Sequence, residues 1–170
     1  MYSGLKDLLF KGVTFASFPI YISYQSKVVD QWNANHKMTA WKTIKEAISF
    51  EILIFIIVFI IFMVCKPMLF SDLLNIPEMD FWLIYLPVLL ASFLWQVALL
   101  LQRFLELTFR SAYMLVSIGV CVLLNVVLNL IFVPRHGMIA SSLILLATST
   151  LYAGVMVVLA LILSKKLQRG

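Results

Sequence analysis

The stretch that decides the fold is residues 111–150, SAYMLVSIGVCVLLNVVLNLIFVPRHGMIASSLILLATST. Two long apolar runs are divided here by residues 133–137, VPRHG, and apolar runs of this length are typical of helices that cross a membrane. The pattern predicts a transmembrane helical hairpin at the core of the protein, with spans over 111–133 and 138–163.

The first apolar run carries a row of small or polar side chains four residues apart: Ser117, Cys121, Asn125 and Asn129. Side chains at this spacing lie on one face of a helix. A carboxamide without a partner in hydrocarbon is costly, so the row must face protein or water. The second run offers Ala, Ser and Thr at 140–142 and 147–150, which let backbones approach closely and supply hydroxyls. We therefore expect the two runs to pack along these faces.

The composition excludes an ordinary soluble domain. Hydrophobic residues make up 63% of the chain and charged residues 12%, against about 45–50% and 25% in soluble domains. The net charge is +5, but the basic residues sit at the ends of apolar runs, which favours lipid headgroups over nucleic acid as the partner. Cys65 and Cys121 offer neither a disulfide framework nor metal-ligand spacing. The fold class predicted is an all-α polytopic membrane bundle forming a single domain.

Three further spans are predicted before the hairpin, over residues 5–24, 48–65 and 81–101, giving about five in all. Pro19 would kink the first, and Pro87 would bend or loosen the first turns of the third. The second span is apolar all round, which indicates contact with lipid.

The polar stretch 25–47 is predicted to be a basic interfacial linker. Its apolar residues recur at helical spacing, which indicates a surface helix with Trp32 and Trp41 at headgroup depth. An ordinary solvated loop is the alternative.

The orientation follows from the positive charges. One side of a five-span bundle would hold nine basic residues: Lys27, Lys37, Lys42, Lys45, Arg103, Arg110, Lys165, Lys166 and Arg169. The other side would hold Lys66 and Arg135, with Lys6 before the first span. The positive-inside rule places the C-terminus in the cytoplasm. An odd number of spans then places Met1 outside, which indicates that further helices preceded this one.

Asn125, Asn129, Pro134 and Gly137, followed by the small residues from Ala140, resemble the late hairpin of polysaccharide flippases. These are O-antigen-type members of the multidrug/oligosaccharidyl-lipid/polysaccharide exporter superfamily. The pair Phe18-Pro19, the basic linker after it and the linker from Arg103 to Arg110 agree with that resemblance.

The resemblance implies a two-lobed transporter of the bacterial inner membrane that moves an undecaprenyl-pyrophosphate-linked oligosaccharide. This chain would be the C-terminal part of the second lobe. Its partners would be the lipid bilayer, the lipid-linked oligosaccharide and a missing or separate N-terminal half. No cofactor is implied.

Four residues are candidates for substrate binding: Lys11, Gln96, Asn125 and Asn129. The two asparagines could bind sugar hydroxyls, or they could hold the hairpin together through Ser141, Ser142 or Thr148. Lys11 could attract a pyrophosphate from a cavity, or it could extend to the interface. Gln96 with Ser92 could join the polar lining or serve helix packing.

Catalytic residues and a metal site are not predicted. His36 and His136 fall on opposite membrane faces, and neither a nucleophile triad nor a nucleotide-binding loop is present in the sequence. Glu51 is interpreted as an interfacial anchor with Lys45 as its partner, in preference to a proton relay. The chain is therefore not expected to be an enzyme. The rival hypotheses are an interaction module or inactive truncated remnant and, less favoured, a membrane enzyme of lipid-linked sugar metabolism.

Overall fold

The computed structural model describes residues 2–66, 81–108 and 111–169, and its regular structure within these ranges is entirely helical. The helices are α1 (Tyr2–Asn33), α2 (Lys37–Lys66), α3 (Leu86–Leu107), which follows a π-helical turn at Phe81–Tyr85, and α4 (Ser111–Arg169). The predicted all-α class is confirmed for this part of the chain. The loop predicted after Pro67, and Arg110, lie outside the described residues.

The longest helix, α4, is two helices that meet at Gly137. Gly137 has φ 63° and ψ −144°, which is not helical backbone, whereas Pro134 lies inside the first helix, three residues before this break. We name residues 111–136 the first limb and residues 138–169 the second limb. A hydrogen bond from Asn125 to Thr148 joins the limbs, so the chain folds back on itself as the predicted hairpin.

The turn between α1 and α2 closes its own backbone hydrogen bonds. The N–H of His36 donates to the Gln31 carbonyl at 2.8 Å and that of Asn35 to the Trp32 carbonyl at 3.0 Å, while Asn35 has φ 63°. This is the Schellman arrangement, in which a left-handed residue ends a helix, and asparagine tolerates that conformation. The stretch 25–47 therefore consists of the end of α1, a short turn and the start of α2.

The centre of the bundle is α3, not the α4 hairpin on which the sequence analysis placed the core. Half of the residues of α3 are buried, and small side chains at Ala91, Ser92 and Ala98 are fully enclosed. Among the residues of the first limb whose burial is described, 112–136, Met114 and Cys121 are buried and most large aliphatic side chains are exposed. An apolar helix can face lipid on most of its surface without cost, whereas small residues allow neighbouring backbones to come close on several sides.

Trp32 and Trp41, which are predicted at headgroup depth, both pack on Phe104 of α3. The ring of Trp41 lies 5.0 Å from the Phe104 ring, and Trp32 meets it edge-on at 5.8 Å. Phe104 itself is fully buried. This cluster joins α1, α2 and α3 at one end of the bundle.

Pro87 affects the start of α3 as predicted. The backbone before it forms the π-helical turn Phe81–Tyr85, and regular α-helix begins at Leu86. Proline has no N–H to donate, and its ring excludes the carbonyl one turn earlier, so a wider turn fits there.

Three helices of the described chain are long and apolar enough to cross a membrane: Lys37–Cys65, Trp82–Leu107 and Ala112–Leu167. This identifies a membrane-type helical bundle. The helix α1 is not among the three, since it carries more polar residues. Ile52, Ile56 and Ile60 of α2 are exposed, as expected for the lipid-facing surface predicted there.

Candidate functional site

A groove lies on the outer surface between α1 and the α4 hairpin. It consists of two adjoining recesses of about 310 and 300 Å³, which share Phe10 of α1 and Leu145 of the second limb. Lys11 and Asp7 line one recess, and Asn125 lines the other. We name these two recesses the lateral groove. Most of its lining is apolar, with polar groups at a few positions, which is typical of small-molecule sites.

Lys11 is the basic residue of this groove. Its side chain is exposed, and Asp7 lies one helical turn before it on α1. The ammonium group therefore stands at the groove surface, where it can attract an anion as a mobile point charge.

Asn125 both lines the groove and joins the two limbs of α4. Its side-chain N–H donates to Thr148 Oγ1 at 2.9 Å, and Thr148 in turn donates to the Ile144 carbonyl at 2.9 Å. Of the predicted alternatives, the contact of Asn125 with Thr148 of the second limb is confirmed. The carboxamide oxygen of Asn125 also accepts from Asn129 Nδ2 at 3.0 Å.

Asn129 and Gln96 lie beside the groove and do not line it. Asn129 donates to the backbone carbonyl of Asn125 at 2.8 Å. Gln96 is buried and donates to Thr14 Oγ1 of α1 at 3.1 Å. The structure therefore brings Lys11 and Asn125 to one groove, while Gln96 joins α3 to α1 and Asn129 bonds within its own limb.

Replacing Asn125 with leucine should lower stability by about 0.6–1.7 kcal/mol, the range measured for hydrogen bonds between membrane helices. The physical reason is the loss of the Asn125–Thr148 contact across the hairpin. The measurement is the denaturation midpoint of the purified protein in a fixed detergent. Ser117→Ala is the matched control, because Ser117 lies on the same row but bonds only to the Tyr113 carbonyl of its own helix. Equal midpoints for the two variants would show that the asparagine does not hold the limbs together.

A second, larger cavity of about 940 Å³ lies at the end of the bundle where α1 meets α2. Lys37 at the start of α2 and Lys166 near the end of α4 both line it, as does His36. Lys37 and Lys166, which the charge pattern assigns to the same side of the membrane, thus line the same cavity. His136 lies at the Gly137 kink, in the segment whose Met138 packs near Phe62, and so does not share this cavity.

Glu51 has a partner that the sequence did not indicate, whereas the partner of Arg103 lies on its own helix. Arg103 pairs with Glu106, one turn further along its own helix. Glu51 is buried and bonds to Ser17 of α1, instead of anchoring at the surface beside Lys45. Spacing along one helix cannot show which neighbouring helix a residue will face.

Among the described residues, no three His, Cys, Asp or Glu side chains lie close enough together to hold a metal ion. No family model, curated protein or solved structure matches this chain.

Proposed function

We propose that this chain is a transport module of the bacterial inner membrane that moves a lipid-linked oligosaccharide, as the C-terminal part of a polysaccharide-type flippase. The observation that carries the proposal is the lateral groove, which combines one ammonium group, one carboxamide and extended apolar surface. These groups match the three chemical parts of such a substrate: a pyrophosphate, sugar hydroxyls and a polyprenyl chain.

The position of each group supports this assignment. Lys11 stands at the recess that also holds Asp7, and the exposed charge is available to the pyrophosphate. Asn125 keeps its bond to Thr148, while Thr148 and Ser149 line the same recess and can meet sugar hydroxyls. The aliphatic side chains of Val122 and Val126 are exposed at the edge of the groove and suit the lipid chain.

In the proposed topology the chain crosses the membrane five times. The helix α4 has 59 residues and would extend about 88 Å if straight, nearly three times the hydrocarbon thickness of about 30 Å. Because the two limbs contact each other through Asn125 and Thr148, α4 supplies two crossings. In this topology α1 supplies the fifth, and the end of the bundle with Lys37 and Lys166 faces the cytoplasm.

A transporter of this kind also needs a second lobe. Large aliphatic side chains of the first limb, such as Leu115, Leu123 and Leu130, are exposed along its length. We take this surface to face lipid and the complementary half of the transporter.

Lys11→Gln should lower export by at least about tenfold. A hydrogen bond to a charged group is worth about 1.5–3 kcal/mol, and about 1.4 kcal/mol corresponds to a factor of ten. The measurement is polysaccharide export by a flippase-deficient strain that expresses this chain alone or with the upstream half of a polysaccharide flippase. Lys42→Gln is the matched control, since Lys42 is also exposed but lies outside the groove.

The outcomes separate the proposal from its rivals. Export that requires this chain and falls in Lys11→Gln but not in Lys42→Gln supports the transport module. If no export occurred, either with this chain alone or with this chain and the upstream half, the transport proposal would be overturned and the interaction module favoured. That second candidate is favoured by one observation: the amide of Gln96 is buried and bonds to Thr14 of a neighbouring helix, as residues used for packing do. Turnover of a sugar phosphate by the purified chain would favour a membrane enzyme.

A further inference from the structure

Glu51 is a buried carboxyl group at the contact between α1 and α2. Its side chain is 1% exposed, and so is that of Ser17, which faces it from α1. Glu51 lies within the segment Lys37–Cys65, one of the helices apolar enough to cross a membrane. A carboxyl group in such a place must be neutral or paired.

The hydrogen bonds around Ser17 show which of these applies. Ser17 Oγ lies 2.5 Å from Glu51 Oε1 and 2.9 Å from the Val13 carbonyl oxygen. A serine hydroxyl has one hydrogen to donate and two lone pairs to accept with. If Glu51 were ionised, that one hydrogen would face two acceptors. If Glu51 carries a proton, its O–H donates to Ser17 Oγ, and the serine O–H donates to Val13, so both short contacts are satisfied.

The charged surroundings agree with a neutral acid. Among the described side chains, Glu51 makes no ion pair within 4.0 Å. Ala47 lies one turn closer to the start of α2 and lines a narrow recess together with Tyr21 and Tyr24 of α1 and Arg103 of α3. None of the described residues that line this recess belongs to α4. The guanidinium group there pairs with Glu106. On α2 itself, Lys45 and Glu46 are exposed. A single hydroxyl does not compensate the desolvation of a buried carboxylate.

We propose that Glu51 is a proton-binding site that joins α1 to α2. The carboxyl group is protonated while the helices are packed, and it releases the proton when they separate and water reaches it. Loss of the proton therefore favours separation of α1 from α2. This site does not depend on the proposed transport function, because its argument uses only the contact between the two helices.

Infrared spectroscopy of the purified protein in a detergent without carbonyl groups tests the proposal directly. At neutral pH the native protein should show the carbonyl stretch of a protonated carboxylic acid, and Glu51→Gln should abolish it. Glu46→Gln is the matched control on the same helix and should leave the band unchanged, since Glu46 is exposed. A native spectrum without the band, or a band that remains in Glu51→Gln, would overturn the proposal.

A second variant keeps the test decisive if Glu51→Gln does not fold. Ser17→Ala removes the oxygen that receives the proposed hydrogen bond, so the band should remain but shift in frequency. A band with the native frequency in Ser17→Ala would contradict the assignment to Glu51.

The pH dependence of stability gives an independent measurement. A group that holds a proton only in the folded state makes the folded-to-unfolded ratio fall up to tenfold per unit rise in pH. The denaturation midpoint of the native protein should therefore decrease relative to that of Glu51→Gln as the pH rises. A native protein that gained stability over Glu51→Gln at higher pH would exclude a proton-binding Glu51.

Discussion

Tyr152→Ala is expected to destabilise the protein by about 3–5 kcal/mol, as aromatic-to-alanine substitutions in packed interiors do. Tyr152 is 0% exposed, and its ring lies 5.2 Å from that of Trp95 on α3. Its hydroxyl donates to Gln102 Oε1 at 2.9 Å. Removal of the ring leaves a cavity where the second limb of α4 meets the central helix. The measurement is the denaturation midpoint in detergent, converted to a free energy through a reversible titration.

Tyr152→Phe separates the contribution of packing from that of the hydrogen bond, and Phe15→Ala is the control at an exposed ring. Tyr152→Phe keeps the ring and loses only the bond to Gln102, so it should cost about 0.5–1.5 kcal/mol. Phe15→Ala removes an aromatic ring that is 81% exposed and should change stability little in detergent. If Tyr152→Ala cost no more than Tyr152→Phe, the second limb would not be packed on α3 as described.

Gly137→Ala is expected to cost about 1–3 kcal/mol, because the backbone there has a conformation that is essentially limited to glycine. Gly137 has φ 63° and ψ −144°, and an added Cβ would meet no atom within 4 Å. The cost therefore comes from the backbone and not from a clash. The measurement is again the denaturation midpoint in a fixed detergent.

Gly154→Ala provides the matched control within the same helix. Gly154 has regular helical geometry and also has open space around its Cα, so alanine should stabilise the second limb by up to about 1 kcal/mol. Opposite signs for the two substitutions are expected. A stabilising Gly137→Ala would mean that the limbs are not joined by a left-handed residue at this position.

The hairpin could be predicted from sequence because its signals are local. The break near Gly137 and the row that includes Asn125 lie within a few helical turns of each other. The sequence left Ser141, Ser142 and Thr148 open as partners of the asparagine, and the structure selects Thr148. The signal for the Schellman turn at Asn35 is also local. It was not recognised because a helix-ending signal within a polar stretch resembles a loop sequence.

The central place of α3 could not be predicted in the same way. Several helices of this chain are apolar on every face, so hydrophobic periodicity does not show which face is buried. The available signal was the set of small residues that includes Ala91 and Ala98, both fully buried in the structure. Small residues allow close helix approach, but they occur in α4 as well.

The candidate site was predicted in part. Lys11 and Asn125 line the lateral groove, whereas Gln96 binds Thr14 and Asn129 binds Asn125. The contact between Ser17 and Glu51 was missed because its partners are 34 positions apart in the chain. Pairing across helices depends on their rotation and register, which a single sequence does not contain.

The turn at Asn35 has a consequence for biogenesis. Its backbone bonds are made within one short segment, and α1 and α2 are consecutive in the chain. Contacts between sequence neighbours form early, because little chain entropy is lost in closing them. The first two helices can therefore pair during translation, before Phe104 has been synthesised and can pack on Trp32 and Trp41. Later helices can then be added to a pair that is already folded.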